Sequence, residues 1–331
     1  MVKTDLLQCR AVGETLKNYH IKTSFLQREF LSVDVSVEKK LSALFFAVAV
    51  CHQTHTLHNT KSGNKGWDYI EEVFLKMMKE DDPWLSPEFI RSQNHKALEY
   101  KLMVLFSETG KPEDTTLNHV SERSDLMHAL ASFISNSFKG SYSFLLEESG
   151  NRLLHDGSGY FELLEKSDAF ADPRRKKSMF LYKLLNDAGL YSITDTENLI
   201  PIMDYHMQRV LLRTGCVLIT DEKLFTDLQQ KTPLNSDEPV RSACIDAARE
   251  IAKSSGHSIT AMNDFFWPMG RSCCLENPVC ISGVCSKNPC TLSTLSDYPA
   301  HTHCMLQKTC KGAADAGIRE LWEPIVKTHF Y

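Results

Sequence analysis

No apolar run in this 331-residue chain is long enough to cross a bilayer. The longest, "LFFAVAVC" at 44–51, falls far short of the roughly 20 residues that a spanning helix needs. The opening residues, "MVKTDLLQCRAVGETLKNYH", also lack the apolar core of a secretory signal. Both absences point to an intracellular protein, cytoplasmic or nuclear, with no membrane partner. An excess of basic charge is missing too. Lys and Arg number 37 against 42 Asp and Glu, a net charge of −5, so the chain as a whole is not built to attract polyanions. Contacts to phosphates need only a local basic face, which this balance leaves open. There is no internal repeat, no low-complexity linker and no stretch that alternates apolar and polar residues as a half-buried strand does.

Helical grammar is abundant. "LSPEFIRSQNHKALEYKLMVLF" offers Ser86 as an N-cap and Pro87 at the first helical position, followed by apolar residues at helical spacing. "SDEPVRSACIDAAREIAKSSG" repeats that pattern and stops at Gly256. "SERSDLMHALASFISNSF" and "KKLSALFFAVAVCHQ" are helical by period. "NTKSGNKG" (59–66) is a loop, and "SDAFADPRRKK" is a turn into a helix with Asp172 as cap and Pro173 next. The expected fold class is all-α.

Cysteine is plentiful and uneven. Of the eleven, Cys9, Cys51, Cys216 and Cys244 are scattered, and seven crowd into 273–310. In an intracellular protein such a cluster suggests metal ligation more than a disulfide framework. The stretch around these cysteines is too rich in Pro, Gly and Ser to pack without a staple.

One acidic residue stands out. In "IPIMDYHMQRVLLRTG", Pro201 favours an extended entry, and Asp204 then caps a helix that runs to about Gly215. Backbone amides at a helix start keep such a carboxylate ionised. It is an ordinary cap, or a fixed anion suited to a developing sugar oxocarbenium cation, or both.

The segment "DYHMQRVLLRTG" resembles the helix-hairpin-helix DNA glycosylases, in which an essential Asp precedes H-x-x-R-V…R-x-G. Four further segments are similar, in order, to the archaeal 8-oxoguanine glycosylases of that superfamily: "VCHQTHTL", "KGWDYIEEVF", "KKSMFLYKL" and "NDFFWPMGR". The resemblance spans residues 45–271. It implies two subdomains with an active cleft between them. Residues 1–115 and 216–331 would form one helical subdomain, and 116–215 the helix-hairpin-helix-like one. It further implies a monomeric enzyme that acts on DNA carrying a damaged base.

By the same resemblance Lys177 is the nucleophile and Asp204 the essential catalytic carboxylate. A lysine that attacks the sugar C1′ must first lose its proton, which from a pKa of about 10.4 costs roughly 4–5 kcal/mol near neutrality. Arg174, Arg175 and Lys176 lie just upstream and would lower that pKa. The alternative reading of "PRRKK" is a solvated basic face, and the same arginines could grip phosphates. A flipped base needs flat side chains and edge partners. Gln53 and Asp264 would read its edge and Trp267 would stack, with Trp67 beside them. His52, His55 and His58 would share a helix face, but no nearby acid completes a metal set.

The cysteine loop resembles the one in endonuclease III-type glycosylases. "GRSCCLENPVC" gives Cys273-x6-Cys280, and "CMLQKTC" gives Cys304-x5-Cys310. The likeness implies a [4Fe–4S] cluster on Cys273, Cys280, Cys304 and Cys310; spacing alone allows zinc equally. The function implied is a bifunctional DNA glycosylase and AP lyase for an oxidised purine such as 8-oxoguanine. An N-glycosidase for another modified base in DNA or RNA, and a non-catalytic metal-stapled nucleic-acid-binding protein, remain as alternatives.

Overall fold

Most of the longer helices begin on a side-chain cap. Ser36, Asn94, Ser141, Asp204, Asp221 and Ser258 each accept a hydrogen bond from a backbone N–H in the first turn that follows. The computed structural model describes residues 1–21, 28–283, 285, 290, 292 and 303–331. Within the cysteine-rich loop, 284, 286–289, 291 and 293–302 lie outside the described residues. The chain is mostly helical, and none of the described helices is long and apolar enough to cross a membrane.

Two compact units share the chain: Met1–Ser24 with Ile200–Lys327, here the terminal unit, and Phe25–Leu199 with Thr328–Tyr331, the central unit. The chain thus divides at 24/25, 199/200 and 327/328, whereas the sequence pointed to 115/116 and 215/216. In the central unit the apolar helix Val37–Ala49 packs against Trp67–Lys79, Val120–Phe138 and Lys176–Asp187. Residues on both sides of position 115 therefore share one core.

The terminal unit is built on helices Leu6–Leu16, Tyr205–Thr214, Glu238–Ser255 and Ile259–Ser272. Three scattered thiols, Cys9, Cys216 and Cys244, are fully buried in its core. Burial raises the pKa of Cys216 and Cys244, so they behave as small apolar side chains. Val2–Thr4 pairs antiparallel with Val217–Ile219, placing Val2 opposite Ile219. A three-residue strand is too short for alternation to be read in sequence, which is why it went unseen.

Two other departures are local. The segment read as one helix from Ser86 onwards splits into Pro87–Ser92 and His95–Leu105, because Gln93 is extended and Asn94 starts a new helix. The helix ending at Ala49 stops short of the histidines, so His52, His55 and His58 share no helix face.

Candidate active site

The central unit holds the lysine. Asp172 accepts from the backbone amides of Arg174 at 2.9 Å and Lys176 at 2.7 Å. The helix it introduces starts later than expected, at Lys176, after Arg175 in the left-handed region (φ 55°). Lys177 is therefore the second helical residue, at the positive end of its helix dipole, which disfavours a further positive charge. The two lysines do not form a solvated face: Lys176 is 9% exposed and Lys177 fully buried. Lys177 Nζ donates to the carbonyl of Ala49 at 2.6 Å, at the C-terminal end of helix Val37–Ala49.

Burial lowers the pKa of Lys177 to about 7, and the charges of Lys176 and Arg123 add to the effect against the opposing pull of Cys51 and Asp172. An amine in that state is substantially neutral at physiological pH. Lys176 Nζ lies 3.9 Å from Cys51 Sγ and over the Phe180 ring. His52 is fully buried, with Nε2 3.2 Å from Glu122. Burial, then the nearby Arg123 and Lys177, hold the His52 pKa far below its usual value, so the ring is neutral. His329 is depressed in the same way, by burial and then by Lys177.

Two of the other expected residues belong to this unit. Gln53 lies beyond the helix end, in the left-handed region (φ 45°), with its amide donating to the Tyr331 carbonyl at 3.2 Å. Non-glycine residues adopt that conformation at a cost of order 1 kcal/mol or more, and such strain clusters at functional sites. Gln53 and Arg175 share it with six other non-glycine residues among those described, so it does not by itself mark the site. Trp67 opens helix Trp67–Lys79 and is buried. Its indole N–H donates to Glu71 at 2.7 Å, and its ring meets Phe180 of the lysine helix edge-on, with centroids 4.7 Å apart. The tryptophan therefore braces the helix that carries Lys177.

The terminal unit holds Asp204, Asp264 and Trp267. Asp204 is extended, 7% exposed, and accepts from Met207 N at 2.9 Å, so the cap read from the sequence is present. Gly215 ends that helix in the left-handed region (φ 78°). Asp264 and Trp267 lie on Ile259–Ser272, which packs against the Asp204 helix. At Gly270 the two helices nearly touch; a Cβ there would fall 2.8 Å from His206 Cβ and from its carbonyl oxygen. Asp264 is fully buried, and Trp267 is half-buried with the Arg271 guanidinium 4.4 Å over its ring.

Sequence reasoning missed the role of the arginines on the Asp204 helix. Arg209 and Arg213 are 2% and 4% exposed. Arg209 pairs with Glu323 and donates to the carbonyls of Gly270 and Cys274, each at 2.8 Å. Arg213 donates to Leu321 O at 2.8 Å and Leu275 O at 2.6 Å, and both guanidinium groups stack on Trp322. They tie the helix to residues 270–275 and 321–323 and are not presented to a ligand.

Cys274 and Cys310, at the two ends of the cysteine loop, contact the same helix. Cys310 Sγ donates to the Arg213 carbonyl at 3.3 Å, and Arg213 Nη1 lies 3.7 Å from Cys274 Sγ. Burial raises the pKa of Cys273, Cys280, Cys304 and Cys310, and neighbouring thiols, Cys274 among them in all four cases, raise it further. These thiols share one neighbourhood, and thiols are the right donors for iron–sulfur or zinc. Among the described residues, however, no three His, Cys, Asp or Glu side chains are arranged to hold a metal ion. The donor set fits in kind and not in arrangement. No protein-family model matches this chain, and no curated protein matches it.

Proposed function

We propose that this chain is a bifunctional DNA glycosylase and AP lyase acting on an oxidised purine such as 8-oxoguanine. The observation that carries the reading is a fully buried lysine, second in its helix, whose amine has a pKa of about 7. A nucleophilic amine needs a lone pair at working pH, and desolvation beside other cations supplies it. The amine attacks C1′ of the damaged nucleotide, and the base departs with the electrons of the glycosidic bond and takes up a proton. The sugar ring then opens to a Schiff base, from which loss of a C2′ proton expels the 3′ phosphate. Asp204, fixed at a helix start, stabilises the cationic sugar as the base leaves. Gln53, Asp264 and Trp267 are assigned to the base.

A second reading, an N-glycosidase for another modified base in DNA or RNA, is favoured by Trp67, whose indole N–H and ring are engaged within the core. One experiment separates the two. The protein is incubated with a panel of lesion-bearing DNA and RNA oligonucleotides and treated with borohydride. The expected result is a covalent adduct with 8-oxoguanine DNA, absent in Lys177→Gln. Asp204→Asn should lower turnover by a factor of about 10²–10³ with the fold retained, because an amide still caps a helix but carries no charge. An adduct only with other lesions selects the second reading; adduct formation that survives Lys177→Gln rejects the nucleophile.

The cysteine loop is assigned a stapling role, with Cys273, Cys280, Cys304 and Cys310 as ligands of a [4Fe–4S] cluster, or of zinc. Anaerobically purified protein is expected to be brown and to contain about four irons. Colourless protein with one zinc would keep the staple and discard the cluster. Serine at Cys273 or Cys310 should lower the Tm with either metal.

A further inference from the structure

Arg123 enters the chemistry described so far only as one of the charges near Lys177 and His52. It lies in the first turns of helix Val120–Phe138 and is fully buried. Its Nη1 donates to the Val50 carbonyl, and Nη2 donates to His52 O at 2.6 Å and to Asn118 Oδ1 at 2.9 Å. Nε donates to Asn118 O at 2.8 Å. Among the described residues it forms no ion pair: the carboxylate of its neighbour Glu122 is turned to His52 and His329. A buried guanidinium held by neutral acceptors is costly. A neutral donor could tie the same loop at less cost, so the charge calls for its own explanation.

The carbonyls supply one. Lys177 Nζ rests on Ala49 O, and Arg123 grips Val50 O and His52 O, the carbonyls of residues one and three further on. We propose that Arg123 is a positioning residue for Lys177: it holds the Val50–His52 backbone in the shape that receives the amine, and keeps a permanent positive charge beside it. The assignment rests on reading Lys177 as the nucleophile. An arginine suits the task because its fork reaches Val50 O and His52 O together, and burial lowers its pKa only to about 10, so it stays charged near neutrality. The groups that face the amine are Cys51, His52, Arg123, Asp172, Lys176 and His329. Cys51 and Asp172 favour its charged form, and Lys176 and Arg123 oppose it.

The test is a pH titration of the full chain labelled with [13Cε]lysine, followed by NMR, with Lys177→Arg to assign the resonance. Wild type is expected to show one lysine titrating near neutrality. Arg123→Gln, which keeps two donors and loses the charge, should raise that midpoint by about one unit, which cuts the neutral fraction at pH 7 from about a half to about a tenth. Arg123→Lys should leave it within a few tenths of a unit. Borohydride trapping at pH 7 should fall about fivefold in Arg123→Gln, in step with the neutral fraction. An unchanged midpoint in folded Arg123→Gln overturns the assignment. If that variant does not fold, Arg123→Met, which also removes the charge, is read the same way: a raised midpoint supports the proposal and an unchanged one overturns it. A midpoint that follows Arg123 in a protein that traps on no oligonucleotide keeps the assignment and removes the glycosylase reading.

Discussion

Replacing Lys177 with methionine is expected to abolish borohydride trapping and, at the same time, to stabilise the protein. The pKa of this amine falls from 10.5 to about 7 on folding. At roughly 1.4 kcal/mol per unit, burying the ammonium below pH 7 opposes folding by at most about 4–5 kcal/mol. Methionine fills similar space without the charge and gives up one hydrogen bond to Ala49 O, so a net gain of about 1–3 kcal/mol is expected at pH 6. The sign of the pH dependence follows from the protons bound. Between pH 7 and 10.5 the unfolded amine keeps a proton that the folded amine has shed, so wild-type stability rises with pH across that window. The Lys177→Met curve should lack that rise. Urea unfolding of both proteins from pH 6 to 10 measures it. A loss of stability in Lys177→Met at pH 6 would mean that the lysine serves the fold, as a cap on the end of helix Val37–Ala49, and not a reaction.

The second large effect concerns Arg209. Arg209→Met removes the guanidinium from a nearly fully buried pair and leaves Glu323 in a site without its cation. Breaking one side of such a pair costs about 3–5 kcal/mol, and the bonds to Gly270 O and Cys274 O are lost as well. The double variant Arg209→Met with Glu323→Leu should recover a large part of that, because neither charge then remains buried. Denaturant midpoints of the four proteins in this cycle give the coupling. The Arg209 guanidinium is taken up by Glu323, Gly270 O and Cys274 O, so Arg209→Met should not change the salt dependence of DNA binding. A cost below about 1 kcal/mol, or a shallower salt slope, would put Arg209 at the nucleic acid instead.

The sequence made the helix after Asp204 legible from end to end, since its cap, apolar spacing and terminal glycine are all local signals. The break at Gln93 and Asn94 is equally local, but there the run of helix-compatible residues on both sides outweighed the Asn cap. Burial of charge was not legible. A run such as "PRRKK" normally faces solvent, and nothing in it reveals that Lys176 and Lys177 turn inward to Cys51 and Ala49, 125 and 128 residues earlier in the chain. Arg123 was missed for the same reason: its value comes from carbonyls about 70 residues away. Proximity of that kind belongs to the tertiary fold. A cue did exist, in that Arg123 stands between apolar-facing positions of its helix, but spacing alone assigns such a residue to a helix edge.

The division of the chain also sets an order of events during synthesis. Helix Leu6–Leu16 packs chiefly against Glu238–Ser255, and strand Val2–Thr4 waits for Val217–Ile219. The central unit, encoded between them, emerges nearly whole before either partner exists. Until then the nascent chain carries a short segment whose apolar residues Cys9, Val12 and Leu16 have nothing to bury them. At about 5–20 residues per second that interval lasts on the order of tens of seconds. A holdase that binds this segment would protect both the chain from aggregation and Cys9 from oxidation.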